Sequence, residues 1–517
     1  MGGKRTKRKS KPKKVRSKGH PFASVTAVAA AVALVAIICY AVLSDPRIFG
    51  PSAPSSSGDD GASTAPIAKK SQKRRARRRT AAKAAVATKV KWWGANDPSG
   101  VLAQLAAPAT TDVAASAVCP SGPLDEASDG FDVEAAGRSC REQALPFLTR
   151  DGSSVGGFHV LCVVRRPCAY SVFPFWRGRR AFATIDGATD VDQIFVDRRD
   201  GVRGAFAALL SAEPRLRFLG AAEGQKQVGS LFTDDGYRRE PGTLPVGLSL
   251  AFEGGQFIWP GIAIGFTRVV NVTSPRSGWR RTLTLQTLAM VPLVLSVSSF
   301  LEVSECEHII EFSTPHMAAS GVSLMDKDKG KEASEWRTSS TFFMHSQSSQ
   351  QLQEIDWRVA SVTRLPRSHQ EDLQVLRYEK TQRYVSHHDF FAPHLYKESP
   401  DTMHLIQGGH RNRLVTVFWY MTNVEAGGTT YFPRAQGHSG LPRGRAVDFS
   451  SCDPDVGLHV APQQGKIILF YSMKPDGSFS DESLHGGCPV VNGTKWAANK
   501  WVWNKPVRDA NDNYNPN

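Results

Sequence analysis

Several features are scarce or missing in this chain of 517 residues, and each absence narrows what the protein can be. No two of its eight cysteines form a Cys-x-x-Cys pair, which argues against a structural zinc site. Acidic residues are absent from two basic segments, residues 4–18 and 69–91, which hold ten and eleven lysines and arginines. Removing those 21 charges from the net charge of +16 leaves about −5, so we expect no nucleic-acid partner for the folded part.

Charge is also missing from residues 22–43, which are almost all apolar. As a helix rising about 1.5 Å per residue, this segment would cross the roughly 30 Å hydrocarbon core of a bilayer. A buried core helix or the apolar part of a cleaved signal peptide is the alternative, although the latter usually has about 7–15 residues. The basic residues before the segment predict a cytosolic amino terminus. The protein is therefore predicted to be single-pass type II in the endoplasmic reticulum or Golgi membrane, with the rest of the chain lumenal.

Changes in composition predict six segments along the chain. They are a basic cytosolic tail (1–21), a transmembrane signal anchor (22–43), a disordered basic stem (44–92), a globular α/β region of unknown fold (93–287), a mainly β domain (288–508) and a tail (509–517). In the fourth segment, β-like runs occur at 159–164, 180–185, 193–196 and 248–252, and a helical pattern at 202–210. Residues 253–256 are typical of a hairpin turn.

The mainly β domain begins with helical patterns at 305–312 and 350–362, and short apolar strands then dominate. The predicted strands cover 376–378, 414–421, 429–432, 466–471 and 495–503. Several short strands separated by glycine and proline turns favour a two-sheet jelly roll with supporting helices.

Seven cysteines lie on the proposed lumenal side, because only Cys39 falls within the apolar segment. An oxidising lumen would allow disulfides there, and the odd number leaves one thiol free or paired between chains. Cys162 and Cys168, which flank Arg165-Arg166-Pro167, are candidates for a disulfide that closes a local loop.

The chemistry is carried by a short motif, His387-His388-Asp389, and by His485 about a hundred residues later. In an extended strand, His387 and Asp389 project to one face and His388 to the other. Two imidazoles and one carboxylate form the facial triad of non-haem Fe(II) oxygenases, which leaves positions open for a co-substrate and O2. Lys495, ten residues after His485, supplies a cation for a dicarboxylate co-substrate.

The flanking residues resemble the catalytic domain of prolyl 4-hydroxylases, which are Fe(II)- and 2-oxoglutarate-dependent dioxygenases. The resemblance runs from Val291 to about Lys505, roughly two-fifths of the chain. Its motifs include Phe300-Leu301-Glu302-Val303-Ser304-Glu305-Cys306, Arg337-Thr338-Ser339, Arg413-x-x-Thr416, Gly427-Gly428-Thr429-Thr430-Tyr431-Phe432-Pro433, Val460-x-Pro462-x-x-Gly465 and Ser483-Leu484-His485 through Trp501.

This resemblance implies a double-stranded β-helix that uses Fe(II), 2-oxoglutarate, O2 and ascorbate to hydroxylate proline in a Pro-rich peptide. It implies His387, Asp389 and His485 as iron ligands and Lys495 as the partner of the distal 2-oxoglutarate carboxylate. Tyr384 is expected to donate a second hydrogen bond to that carboxylate, and Thr430 to line the pocket. Trp501 matches an aromatic residue near the metal, with simple core packing as the alternative. The candidates for contacts with the peptide are Arg337, Arg413 and Glu379.

One position departs from the family pattern, because Thr381 stands where the family usually has glycine. Threonine is β-branched and avoids positive φ, so the local backbone or the rim of the peptide groove is expected to differ. Two alternatives stay open: a 2-oxoglutarate oxygenase with another substrate, and a non-catalytic membrane-anchored binding module with the same fold.

Two glycosylation sequons, Asn271-Val272-Thr273 and Asn492-Gly493-Thr494, lie on the proposed lumenal side. Asn492 falls between His485 and Lys495, close to the predicted pocket, where a glycan is expected to be excluded. Asn271 is therefore the predicted acceptor.

Overall fold

The structure is a computed structural model that describes residues 119, 124, 130–148, 156–176, 193–220, 230–274, 277–436 and 452–508. The predicted cytosolic tail, membrane anchor and stem, the run at 180–185 and the tail at 509–517 all lie outside the described residues. Among the described residues, no helix combines the length and apolar character needed to cross a bilayer.

The helices and strands of the described residues are numbered in chain order. The helices are α1 (Val133–Ala144), α2 (Gly201–Ala212), α3 (Val303–Ser313), α4 (Gln350–Thr363) and α5 (Pro400–Leu405). The strands are β1 (Phe158–Arg165), β2 (Ala169–Trp176), β3 (Ile194–Asp197), β4 (Gly247–Phe252), β5 (Thr267–Thr273), β6 (Arg280–Met290), β7 (Leu293–Val297), β8 (Ala318–Ala319), β9 (Ser340–Met344), β10 (Leu373–Tyr378), β11 (Tyr384–His387), β12 (Arg413–Tyr420), β13 (Ala426–Gly427), β14 (Thr430–Phe432), β15 (Leu458–Val460), β16 (Ile467–Tyr471), β17 (His485–Gly487), β18 (Val490–Asn492) and β19 (Lys495–Trp503).

Strands β1 to β4 form the amino-terminal sheet, an antiparallel sheet in the order β3-β2-β1-β4. Alternation along β1 sends Leu161 and Val163 to a face that packs on Phe206 of α2. The same alternation sends Phe158 and Val160 to the opposite face, into the largest core of the molecule. The strands predicted at 159–164, 193–196 and 248–252 and the helix at 202–210 are confirmed.

The large sheet has nine antiparallel strands in the order β5-β6-β7-β16-β12-β19-β10-β9-β8. Its central strands are buried on both faces: all nine residues of β19 are buried, as are seven of the eight in β12. Near-continuous apolar runs are typical of strands covered on both sides. β19 lies between β12 and β10 and thereby holds the two halves of the sheet together.

The small sheet, β11-β17-β14-β15, packs on one face of the large sheet. Phe418 and Phe470 of the large sheet share a core with Phe432 and Val460 of the small sheet. Two antiparallel sheets packed face to face confirm a mainly β domain of the jelly-roll type.

Two helices support the large sheet, and each begins at a polar cap. Helix α3 starts with a capping box between Glu302 and Glu305, and α4 starts at Ser349, whose hydroxyl accepts from the Leu352 N–H. The Arg358 guanidinium on α4 donates to both carboxylate oxygens of Glu305, at 2.7 and 2.9 Å. This buried pair fixes the two helices to each other.

The large sheet extends further towards the amino terminus than the β domain predicted to start at residue 288. That residue lies inside β6, and β5 and β6 pair along their whole length before it. The largest core also continues without a break from Cys140 and Phe158 to Trp496 and Val502. The amino-terminal sheet and the jelly roll therefore share one hydrophobic core.

The cysteines pair differently from the local loop predicted between Cys162 and Cys168, and that prediction is wrong. The structure contains disulfides Cys119–Cys168, Cys140–Cys162 and Cys452–Cys488, with Cα atoms 5.6 to 5.8 Å apart. Cys162 lies within β1 and faces α1, which carries Cys140, so its partner is across the packing interface rather than along the chain. Cys306 is the free, buried cysteine of the described residues, as the odd count requires.

Candidate active site

His387, Asp389 and His485 come together at one end of the small sheet, where β11 ends and β17 starts. His387 is the last residue of β11, His485 is the first of β17, and the two are direct cross-strand partners. Asp389 lies two residues beyond His387, so its carboxylate returns to the same side of the strand. Its oxygens lie 3.6 Å from His387 Nε2 and 3.6 Å from His485 Nε2. One ligand atom from each residue lies within 4.8 Å of the others, which suits a single metal ion.

The hydrogen bonds of both imidazoles leave the same nitrogen available for a metal. His387 Nδ1 lies 3.0 Å from the Val385 carbonyl oxygen, and His485 Nδ1 lies 2.9 Å from the Ser483 carbonyl oxygen. A carbonyl only accepts, so each Nδ1 carries the proton and each Nε2 presents a lone pair towards Asp389. This donor set, two neutral imidazole nitrogens and one carboxylate, fits Fe(II).

The Asp389 carboxylate is held ionised although it is almost fully buried. Burial works against the charge, but the Arg413 guanidinium, and any proton on the His485 or His387 imidazole, hold the pKa of this carboxyl below its usual range. The Thr416 hydroxyl donates to Asp389 Oδ2 at 2.6 Å and fixes the orientation of the carboxylate. Thr416 lies on β12, so the large sheet positions a ligand that follows strand β11 of the small sheet.

The neighbouring His388 belongs outside this group, as the alternation predicts. Its Nε2 lies 3.0 Å from the Asp481 carbonyl oxygen, and it is absent from the metal-binding set. Tyr384 stacks on His387, with ring centroids 3.8 Å apart, and the Arg337 guanidinium lies 4.6 Å from the Tyr384 ring centroid. Burial raises the pKa of the Tyr384 phenol to about 12, so it stays a neutral hydrogen-bond donor.

Lys495 is almost completely buried in an aromatic chamber. Its Nζ lies 5.3 to 5.8 Å from the ring centroids of Tyr378, Phe418 and Tyr420. In the part of the chain that the structure describes, no carboxylate or hydrogen-bond acceptor pairs with this ammonium group, and burial is the single influence on its pKa. Burial therefore lowers the pKa of Lys495 to about 7. A buried cation that lacks a counter-ion is suited to bind an anionic ligand.

The chamber borders the strand that carries His485. Thr430, which the sequence placed in this pocket, accepts a hydrogen bond from the Tyr420 hydroxyl at 2.8 Å and pairs with Gly487 of β17. Tyr378 and Tyr420 were missed by the sequence reasoning, and Tyr384 was assigned in their place. Only the pairing register of β10 with β19 places Tyr378 beside Lys495, because the two residues are direct cross-strand partners. The proposed bond from Tyr384 to the co-substrate stays a prediction, and Tyr378 is the better placed candidate.

A groove of about 550 Å³ opens in front of the triad. Aromatic side chains form much of its wall, namely Trp336, Phe343, Tyr384, Phe390, Phe391, Tyr396 and Trp501. Arg337 and Arg413 also line it, but Glu379 does not and instead pairs with Arg377 and Thr494. The Arg413 guanidinium forms a two-pronged ion pair with Glu371 and lies 3.6 Å from the Trp501 ring centroid. Trp501 lines the groove together with His387 and Asp389, and within the described part of the chain its buried Nε1 has no hydrogen-bond partner.

The backbone at Thr381 corrects one expectation. Threonine was expected to shift the turn away from positive φ, yet Thr381 has a φ of +70°. The turn is held by the Thr381 N–H, which donates to the Val490 carbonyl at 2.8 Å, and by the Gln382 N–H, which donates to Glu379. These bonds impose the conformation that glycine adopts freely, so threonine occupies it under strain.

Comparison with known proteins identifies the family. A family model described as the 2OG-Fe(II) oxygenase superfamily matches residues 373–503. The crystal structure of a viral collagen prolyl hydroxylase from Paramecium bursaria Chlorella virus 1, in complex with 2OG, covers 41% of this chain and 95% of its own, with 21% identity and a TM-score of 0.28. Probable prolyl 4-hydroxylase 8 of Arabidopsis thaliana is 39% identical over 219 residues, which are 42% of this chain and 70% of that protein. Probable prolyl 4-hydroxylase 3 of the same plant is 36% identical over 238 residues, which are 46% of this chain and 78% of that protein. At this identity over more than two thirds of each plant relative, the chain belongs to the prolyl 4-hydroxylase family and is an Fe(II)- and 2-oxoglutarate-dependent dioxygenase.

Proposed function

We propose that this dioxygenase hydroxylates proline within Pro-rich segments of proteins in the secretory pathway. The observation that carries the proposal is the groove itself, because its aromatic wall leads directly to His387 and Asp389, which form the metal-binding set with His485. Grooves lined by aromatic residues suit the extended polyproline II conformation, whose rigid pyrrolidine rings pack against flat side chains. A peptide lying in this groove would bring one proline ring to the metal-binding face.

The polar residues around the triad bind the co-substrate or orient the side chains of the site. Lys495 binds the distal carboxylate of 2-oxoglutarate in the aromatic chamber, where the hydroxyls of Tyr378 and Tyr420 are the nearest candidates for a second contact. Thr416 orients Asp389, and Glu371 holds Arg413 flat against Trp501. Iron, when bound, supplies the oxygen chemistry, and ascorbate, as is typical of the family, keeps it reduced.

Several features support a secretory location. The three disulfides are typical of an oxidising compartment, in which a lumenal domain would fold. Both sequon asparagines, Asn271 and Asn492, are exposed. Asn492 lies on β18 and donates to the Glu425 carboxylate, and it is not among the groove-lining residues. Residues 22–43 remain the candidate membrane anchor that would hold the catalytic domain in the lumen of the endoplasmic reticulum or Golgi.

The experiment incubates the protein with Fe(II), 2-oxoglutarate, ascorbate and a panel of Pro-rich peptides. A fragment starting at residue 288 is unsuitable, because it would divide β6 and remove part of the shared core, so the full chain is used. We expect succinate release that depends on peptide, and a mass gain of one oxygen atom located on proline. Matched peptides with alanine in place of proline should give neither. Turnover that no Pro-rich peptide stimulates would contradict the proposal and favour another substrate.

A further inference from the structure

The amino-terminal sheet lies outside the matched family region at 373–503, yet it touches the part of the chain that leads to His485. Aromatic contacts connect the two. The Phe158 and Phe252 ring centroids lie 5.0 Å apart, Phe252 contacts Phe257 at 5.5 Å, and Phe257 contacts Trp259 at 4.8 Å. The Trp259 backbone N–H lies 3.4 Å from the Tyr471 hydroxyl, which it meets at the end of β16. The packing therefore continues from the amino-terminal sheet into the large sheet.

Beside these rings, two turns meet backbone to backbone. Gly157, which precedes β1, and Gly254, which follows β4, contact the turn at residues 475–477. The Gly254 N–H donates to the Pro475 carbonyl at 2.8 Å. A Cβ on Gly254 would lie 2.6 Å from the Gly477 nitrogen, so the contact tolerates no side chain. Residues 253–256 form the predicted turn, but it does not close a hairpin, because β4 pairs with β1 and not with β5.

The turn at 475–477 belongs to a hairpin whose far end reaches the triad. Met473 pairs with Phe479 across this hairpin, and the Lys474 N–H donates to the Ser478 carbonyl at 2.8 Å. Phe479 stacks on Phe390, with ring centroids 4.6 Å apart and ring planes 5° from parallel. Phe390 follows Asp389 directly, and His485 lies six residues after Phe479. The Phe390–Phe479 stack therefore joins the two segments that carry Asp389 and His485.

We infer that the amino-terminal sheet is a positioning element of the metal centre. By docking on residues 475–477 it fixes the hairpin, and the hairpin holds Phe479 against Phe390, which sets the distance between Asp389 and His485. The inference rests on the proposed metal centre and gives strands β1 to β4 and the turn after β4 a role in the reaction without contact with substrate. Gly254 and Phe479 are its two positioning residues.

The test measures metal affinity, which a merely stabilising sheet would leave unchanged. Full-length wild type, Gly254→Ala and Gly156→Ala are titrated with Co²⁺ without oxygen, below the melting temperature of each protein. A Cβ on Gly156 meets nothing within 4 Å, which makes it the matched control. We expect Gly254→Ala to bind Co²⁺ roughly tenfold more weakly, as altered support of metal ligands commonly does, and Gly156→Ala to bind as wild type does. In turnover, kcat should fall in Gly254→Ala while KM for the peptide holds.

A Gly254→Ala protein that melts at lower temperature but binds Co²⁺ with wild-type affinity would overturn the inference. Should that variant fail to fold, Phe479→Leu provides the same test from the other end of the hairpin, and unchanged Co²⁺ affinity there also overturns it. If wild type itself does not bind Co²⁺, the proposed metal centre is wrong and the inference falls with it.

Discussion

Two backbone carbonyls decide which nitrogen each active-site histidine presents. Because Val385 and Ser483 occupy the Nδ1 atoms of His387 and His485, both Nε2 atoms are directed to the ion. We expect His485→Ala to remove most activity and most bound iron, since the two remaining ligands cannot hold the ion in competition with water. The measurement is iron content together with succinate production.

His388→Ala is the matched control for metal content, because His388 Nε2 contacts the Asp481 carbonyl and not the triad. Wild-type iron content in His485→Ala would refute the assignment of the triad.

The buried ammonium group of Lys495 predicts how co-substrate binding depends on pH. Burial lowers the pKa of this lysine to about 7, so the empty site is charged below that pH and increasingly neutral above it. A dicarboxylate requires the charged form, so the apparent Kd for 2-oxoglutarate should rise about tenfold per pH unit above pH 7. Tyr420 does not contribute, because burial raises the pKa of its phenol far above this range.

Lys495→Met should bind 2-oxoglutarate weakly at every pH, without this slope. We propose to measure the affinity by titration from about pH 6 to about pH 9. An equally steep pH dependence in the methionine variant would show that another group is responsible.

Thr381 occupies a backbone conformation that glycine would adopt without strain. Its φ is +70° and its side chain is exposed, so Thr381→Gly loses no packing and keeps the N–H bond to Val490. We expect this substitution to raise the free energy of unfolding by about 1 kcal/mol. The measurement is denaturant unfolding, with Thr267→Gly in extended β5 as the control that should lower stability.

At the residue scale, the sequence predicted the site residues that follow from local spacing. It missed the residues that reach the site only through pairing between distant strands. His387 and Asp389 follow from strand alternation, and Lys495 from its spacing after His485. Tyr378 could not be identified in this way, because it reaches Lys495 only through the register of β10 against β19. The disulfides were missed for the same reason, since each joins segments that meet only after folding.

Among the elements, two segments that form the walls of the groove are tied together by the carboxylate of Asp326. Its oxygens accept from the Glu398 N–H at 2.7 Å and from the Ser399 hydroxyl at 2.8 Å. Lys329 Nζ adds a bond to the Glu398 carbonyl at 2.7 Å. Met325 on one side and Tyr396 on the other line the groove. The hydrogen bonds that Asp326 accepts from Glu398 and Ser399, termed the Asp326 clasp, therefore set the width of the groove.

We expect Asp326→Ala to raise KM for the peptide several-fold and to leave KM for 2-oxoglutarate unchanged, because the groove widens while the Lys495 chamber is untouched. Steady-state kinetics with each substrate varied in turn provide the measurement. Lys327→Met is the control, since Lys327 is exposed in the same loop and is not among the residues that line the groove. Equal effects on both KM values would contradict the role of the clasp.

Sequence periodicity located most of the helices and strands but not the start of the large sheet. The long apolar strands β12, β16 and β19 and the helices α3 and α4 were predicted, because burial on both faces or on one stripe leaves a strong pattern. The boundary at residue 288 was predicted from a change in composition along the chain. Alternation of exposed and buried residues from Thr282 to Thr287 in β6, with Leu283 and Leu285 buried, indicates that the sheet starts earlier.

For the whole molecule, the untested prediction is its orientation across a membrane. Ten basic residues precede the apolar segment at 22–43, and Arg47 is the nearest basic residue after it. This asymmetry should keep the amino terminus in the cytosol and the catalytic domain in the lumen. In sealed microsomes treated with protease, a tag at Asn517 should survive and a tag at Met1 should be removed. The opposite pattern would refute both the topology and the choice of secretory substrates.

The central position of β19 has a consequence for how the protein is made. Every strand that β19 pairs with is synthesised before it, so during translation the large sheet exists as two separate groups, β5-β6-β7-β16-β12 and β10-β9-β8. Until residues 495–503 leave the ribosome, β12 and β10 each present an open, apolar edge that invites aggregation. We expect the nascent chain to depend on chaperones through this interval. A premature stop before residue 495 should release a chain that cannot join its two halves.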